Sequence, residues 1–250
     1  MGNVVHFPRG ASRGAGLFRP RIVQMSPSKR GGAGRKYDGI SEDRQSWLLK
    51  LGETPAAISE WLGYKLSQHC QIAVPPHEIV ELPRNEGFAF GSRVEAGLED
   101  LSKETVPVFA VRAVGGALTK ICALDMFIAN DDRHSSNIIW RKNDLGERVP
   151  MAIDFESSLF SQSFPLPDLR SRSCKTTDQI RAYRQIGAWR SDESKAVLKR
   201  VAAIQPAVVA DWVDNAPQDW LEELARARFL NWWGSKAFHD RVADCIMFCS

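Results

Sequence analysis

Residues 129–156 constrain this chain more than any other stretch. Ala129-Asn130-Asp131-Asp132-Arg133-His134-Ser135-Ser136-Asn137 leads into two short apolar runs, Ile138-Ile139-Trp140 and Val149-Pro150-Met151-Ala152-Ile153, separated by Arg141-Lys142-Asn143-Asp144-Leu145-Gly146. Apolar runs bounded by such a polar turn predict a β-hairpin. A hairpin returns its exit to its entry, so Asn137 and Asp154 would converge although they are far apart in sequence. Oxygen donors gathered in this way suit a divalent cation held against a phosphate. On that reading Asp132 would accept a hydroxyl proton, Asn137 would offer its amide oxygen to the metal, and Asp154 would be the second ligand. Each residue taken singly also has a structural explanation: Asp131 and Asp132 as turn caps after a helix, Asn137 and Asp154 as strand ends. Spacing does not separate adjacent carboxylates, so Asp131 stays beside Asp132 as the candidate base.

The residues ahead of this stretch predict its mount. Gly115 to Asn130 contains Leu118, Ile121, Cys122, Ala123, Leu124, Met126, Phe127, Ile128 and Ala129. A segment apolar almost all round is a buried helix. It would hold the Asp131–Asn137 loop rigidly, which suits chemistry done by positioning.

Asp132-Arg133-His134-x-x-Asn137 followed by Ile153-Asp154-Phe155 resembles the catalytic and metal-binding loops of atypical kinases, of both the phosphatidylinositol 3-kinase type and the HipA-like type. The resemblance to HipA-like kinases extends over more of the chain. It implies Asp132 as catalytic base, Asn137 and Asp154 as Mg2+ ligands, and ATP as co-substrate. Glu156 stands where many kinases carry the glycine of Asp-Phe-Gly. His134 would support the loop or help neutralise transition-state charge, and Arg133 would pair with a loop carboxylate.

The N-terminal part supplies candidates for the nucleotide. Arg21 to Met25 reads as a strand and Ser26 to Lys36 as a flexible loop, whose Gly32 and Gly34 would expose backbone N–H groups to phosphate or simply serve as a linker. Ser46-Trp47-Leu48-Leu49-Lys50-Leu51 reads as a buried strand with one lysine, and a buried ammonium needs an anion. HipA-like kinases resemble this arrangement, with a strand lysine on the nucleotide ahead of a helix. Thr54-Pro55 predicts a helix start, and Ile58, Trp61, Leu62 and Leu66 give the helical period. Glu60 is the candidate partner of Lys50. It falls opposite the Ile58–Leu62–Leu66 stripe, so the helix must turn its small-residue side (Ala56, Ala57, Gly63) to the sheet, or Glu60 is surface. His77 to Leu82 and Phe88 to Val94 read as strands, and the second would join two lobes.

Beyond Asp154, residues 157–191 read as a long connection in which Arg170, Arg172, Lys175, Arg181, Arg184 and Arg190 would favour an acidic or phosphorylated partner or form an ordinary charged surface. Helices are predicted over Glu193–Ile204, Ala207–Val213, Gln218–Trp233 and Phe238–Phe248. Trp212, Trp220, Trp232 and Trp233 are assigned to their core. His69 and His77 have no carboxylate support and read as core or surface residues.

Composition bounds these readings. Residues 1–37 carry eight Lys or Arg and no Asp or Glu, so the formal charge of +3 leaves about −5 on the rest. A basic arm on an acidic body would touch nucleic acid or a membrane surface, or remain solvated. Five cysteines without a Cys-x-x-Cys pair indicate neither a zinc site nor a disulfide framework. No apolar run reaches membrane-spanning length, and the expected location is cytoplasmic. Neither a Gly-x-Ser-x-Gly elbow nor a His-Glu-x-x-His motif is present, which sets hydrolase chemistry aside.

The expected architecture is α+β, a two-lobed protein-kinase-like (HipA-like) fold. A basic arm (1–16) precedes a small β-rich nucleotide-binding lobe (17–95), and a larger helical lobe (96–250) carries the catalytic loop and metal site. The expected activity is Mg2+- and ATP-dependent phosphoryl transfer to Ser or Thr of a protein substrate. The alternative is a pseudokinase or binding module whose basic arm and Arg-rich segment hold a protein or nucleic-acid partner.

Overall fold

The computed structural model describes residues 19–28, 36–52, 55–94, 98–99, 107–142, 146–162, 164–171 and 173–250. Five strands form an antiparallel sheet: β1 (Ile22–Pro27), β2 (Lys36–Ser41), β3 (Ser46–Leu51), β4 (His77–Glu81) and β5 (Phe88–Arg93), in the order β1-β2-β3-β5-β4. The two-residue alternation of a strand places Trp47 and Leu49 in a small core with Ile22, Val80, Leu82 and Ala89. It turns Leu48 and Lys50 to the opposite face, which lines a cleft.

Helix α1 (Pro55–His69) follows β3, and its buried residues lie on nearly every side, from Ala57 to Ser67. The Ile58–Leu62–Leu66 stripe joins the main core, while the small-residue side makes the close approach expected of it. A Cβ on Gly63 would come 2.5 Å from Phe155 Cγ, so only a glycine lets Phe155 lie this close against the helix.

Strands β6 (Leu98–Glu99), β7 (Ile138–Lys142) and β8 (Arg148–Ala152) form a second antiparallel sheet. The predicted hairpin is β7–β8, in which Ile138 pairs with Ala152. The helices are α2 (Val108–Ala113), α3 (Gly115–Ile128), α4 (Lys175–Gln185), α5 (Ser191–Ala202), α6 (Pro206–Asp214), α7 (Glu223–Trp232) and α8 (Lys236–Cys249). Helix α3 is buried all round, as its composition requires, and Trp220, Trp232 and Trp233 join the core beside it. Trp212 is half-buried and accepts the Trp61 indole N–H on its carbonyl at 2.8 Å.

Three expectations are corrected. The two ends of the stretch read as a loop over Ser26–Lys36 are paired: β1 reaches Pro27, β2 starts at Lys36, and Ser28 N–H closes on Lys36 O at 2.8 Å. Strand β2 is poorly marked in sequence because its centre is Gly39, where a Cβ would lie 2.6 Å from Leu49 Cδ1. The connection over 157–191 contains α4, an arginine-bearing helix whose buried residues are only Thr176, Thr177, Ile180 and Tyr183. The helix expected over Gln218–Trp233 is broken, since Leu221 is extended between a short 3-10 turn at Gln218–Trp220 and α7. Gly32, Gly34, Thr54 and the arm over 1–16 lie outside the described residues.

Candidate active site

Helix α3 stops at Ala129, whose left-handed φ of 56° turns the chain into the Asn130–Asn137 loop. A fully buried ion pair sets that loop. Arg133 Nε donates to Asp125 Oδ2 at 2.7 Å and Nη2 to Asp125 Oδ1 at 3.0 Å, with both side chains excluded from solvent. The same guanidinium donates through Nη1 to the carbonyls of Asn137 and Ile153. Asn130 Nδ2 also donates to Asp125, at 2.8 Å. One arginine therefore ties α3 to the loop and to both ends of the hairpin. The carboxylate expected to pair with Arg133 lies on the helix, not in the loop. Asp125 was missed, although a lone carboxylate in an apolar helix signals a buried partner.

The hairpin brings Asn137 and Asp154 to the same end. Ile153 N–H bonds Asn137 O at 3.2 Å, and Asn137 Nδ2 donates to the Asp132 carbonyl at 3.1 Å. That donation fixes the amide, so Oδ1 is the atom left for a cation. Asp154 takes the left-handed conformation, φ 66°, which is uncommon for a residue with a Cβ and recurs at functional sites.

Asp154 is met from the sheet by two lysines. Lys50 Nζ lies 2.6 Å from its Oδ1 and Lys36 Nζ 2.7 Å from its Oδ2. The two lysines are cross-strand partners in β2 and β3. Lys50 also contacts buried Glu60, and Glu156 Oε2 at 2.7 Å, while Glu60 accepts the Phe155 N–H at 2.9 Å. Glu60 is therefore an ion-pair partner and not surface, because Gly63 and its neighbours let α1 come close. Lys36 and Glu156 were not assigned to the site from sequence. Lys36 closed a basic run that looked like solvated loop, and Glu156 looked like a departure from a motif.

The electrostatics follow from three carboxylates around two ammonium groups. Burial alone would lower Lys50, but Glu60, Asp154 and Glu156 outweigh it and hold the ammonium well above the usual lysine range. Burial pushes Glu60 up to about 7 against the pull of Lys50. For Asp154 burial also acts upward, but Lys50 and Lys36 prevail and hold it well below the carboxylate range. Ligand oxygens of Glu60, Asp154 and Glu156 lie within 4.8 Å of one another, an all-oxygen set of the kind hard cations take.

Asp132 stands at the other end of the loop. Its Oδ1 accepts from Lys175 Nζ at 2.6 Å, and His134 Nε2 lies 3.7 Å from its Oδ2. Burial holds His134 below its usual value, with Lys175 and Arg133 acting the same way and Asp132 opposing.

Between sheet and hairpin lies a cleft open to solvent. Leu48, Phe90, Val94, Ile139 and Ile153 make it apolar, and Lys36, Lys50 and Asp154 line it as well. Its back wall is Tyr64, whose hydroxyl pairs with Ser92 Oγ at 3.1 Å. His77 packs tilted against Tyr64 behind it, 4.8 Å between centroids, with its Nε2 buried and unpaired. Burial, reinforced by Lys65, pulls His77 down to about 4. The unfolded chain therefore binds the His77 proton more tightly than the folded one, and stability is lost as pH falls from about 6.5 towards 4. We expect His77→Phe to abolish up to about 3 kcal/mol of this acid destabilisation, read by urea titration of both proteins at pH 4.5 and 7.

No protein-family model matches the sequence, and no curated protein matches it. Among solved structures, the chain superposes on the Helicobacter pylori proinflammatory kinase CtkA with a TM-score of 0.55 at 14% identity, over 88% of this chain and 96% of that one. The fold is kinase-like. This agrees with the kinase-like α+β architecture expected from sequence. HipA, from the Shewanella oneidensis MR-1 toxin–antitoxin complex with HipB and operator DNA, superposes with a TM-score of 0.45 at 12% identity, covering 92% of this chain and 65% of its own length. Within the kinase-like fold the sheet carries Lys36 and Lys50, α1 carries Glu60, and the helical region carries the loop and hairpin. Among the described residues, no helix is long and apolar enough to cross a membrane.

Proposed function

We propose that this protein transfers the γ-phosphoryl group of Mg2+-bound ATP to a Ser or Thr hydroxyl of a protein substrate. The observation that carries the reading is the convergence on Asp154 of Lys50 from β3, Lys36 from β2 and the hairpin that begins at Asn137. Lys50, braced by Glu60, and Lys36 would hold nucleotide phosphates. Gly32 and Gly34 belong to the segment between Ser28 and Lys36 and would add backbone N–H groups there. The apolar cleft would take the adenine.

The oxygens of Asp154 and Asn137 fit magnesium, which prefers hard oxygen donors and keeps water besides one or two carboxylates. Bound there, the ion would neutralise charge developing on the phosphates. Asp132 would orient the acceptor hydroxyl and take its proton. His134, within reach of that carboxylate, would support the loop.

A second reading has one observation in its favour. Both Asp154 oxygens are occupied by lysines and Glu156 adds a third carboxylate to Lys50, a closed cluster that a pseudokinase could keep while holding a partner. The basic residues 9–36 would then contact a protein or nucleic acid, with affinity falling steeply in salt.

Transfer of labelled phosphate from Mg-ATP to a degenerate Ser/Thr peptide library separates the two. We expect Asp132→Ala to lower transfer by roughly 10²- to 10⁴-fold with nucleotide binding preserved, the range of a general base, and Asp131→Ala to retain it. A wild type that binds Mg-ATP and transfers nothing would favour the pseudokinase.

A further inference from the structure

We propose that Lys175 is the cation that meets the transferring phosphoryl group on its acceptor side, supplied by helix α4 and not by the loop that carries Asp132. The inference rests on the phosphotransferase reading above. Transfer places the acceptor oxygen between the base and the γ-phosphorus, with negative charge on the equatorial phosphoryl oxygens. The loop's own cations do not serve that point. Arg133 is buried and faces Asp125, and burial disfavours the charged form of the His134 imidazole. Lys36 and Lys50 stand at Asp154, on the sheet side where the nucleotide phosphates would lie and away from the acceptor.

Lys175 Nζ lies 2.6 Å from Asp132 Oδ1, within reach of any oxygen that the carboxylate orients. Its backbone is locked in place. The next residue, Thr176, is buried, donates its hydroxyl to Asn130 O at 2.5 Å and accepts the Arg133 N–H at 3.0 Å. The first turn of α4 is thus fastened to the loop on both sides of Asp132. The Lys175 side chain itself is 59% exposed, so the ammonium has room to shift while its anchor stays.

The step couples these parts. The acceptor oxygen bonds to the γ-phosphorus, and the bond from that phosphorus to the β,γ-bridging oxygen breaks with its electron pair leaving on ADP. The acceptor proton passes to the Asp132 carboxylate. As Asp132 gains the proton its attraction for Lys175 falls, and the ammonium is released to the phosphoryl oxygens as their charge develops. An interaction stronger in the transition state than in the ground state raises kcat and leaves KM alone.

The test is steady-state transfer to the same peptide library by wild type, Lys175→Met and Lys175→Arg, with Mg-ATP affinity and melting temperature measured for each. We expect Lys175→Met to lose roughly 10²-fold in kcat, with the KM for ATP within about twofold and the melting temperature within about 2 °C, as for an exposed pair. Lys175→Arg should recover most of the rate. A Lys175→Met enzyme with unchanged or faster kcat overturns the inference and leaves the phosphotransferase reading standing. A loss seen only in KM or in melting temperature, or unrescued by arginine, also overturns it. A wild type that transfers nothing overturns both.

Discussion

Arg133→Met should destabilise the protein by about 3–5 kcal/mol, a large fraction of a domain's total stability. The methionine fills much of the volume but leaves the Asp125 carboxylate buried without its cation. It also strips the carbonyls of Asn137 and Ile153 of the guanidinium that both share. Urea denaturation reads the loss, and Asp125→Leu with Arg133→Met should regain part of it, because removing both charges removes the worst penalty. Full recovery is not expected, since the Ile153 carbonyl loses the guanidinium and Asn137 O keeps only the Ile153 N–H. A single variant as stable as wild type would mean that the pair does not hold the loop.

Lys50→Met is the second large effect, and it acts on stability and binding together. Three carboxylates would keep only Lys36 as counter-ion, and Glu60 would be buried with no cation. Glu60, already pushed up to about 7 in the wild type, binds its proton more tightly folded than unfolded. Its contribution favours the fold below about pH 4.5 and is lost as pH rises through 7. Removing Lys50 raises Glu60 further, so the stability gap between variant and wild type should open above about pH 7 and widen by up to about 1.4 kcal/mol at pH 8. Glu60→Gln in the same chain should close most of that gap. It should not restore phosphate transfer, which we expect to fall roughly 10²-fold with loss of the strand lysine. A gap that narrows with rising pH would contradict this account of the cluster.

Much of the site was legible because its chemistry-bearing residues sit at element boundaries that local rules mark. Asp132, Asn137 and Asp154 flank a hairpin announced by two apolar runs and a polar turn, and Lys50 was conspicuous as a charge inside an apolar strand. Glu60 was legible only as one of two possibilities, since the helical period cannot say that Gly63 admits Phe155 so closely. Lys36 and Lys175 were hidden for one reason: each begins an element whose pattern is masked by neighbouring charge. Both were read as members of basic loops, and only the register of β2 against β3 and the tether of Thr176 turn them towards Asp154 and Asp132. Asp125 was hidden in a run of apolar residues where it is the exception.

The most direct test of the central claim is calorimetric titration of ATP into the wild-type protein with magnesium and with EDTA. If the cleft holds nucleotide and the Asn137–Asp154 end holds the ion, binding appears with magnesium and weakens by at least about tenfold without it. Absence of binding in both conditions would contradict the assignment of this cleft to a nucleotide.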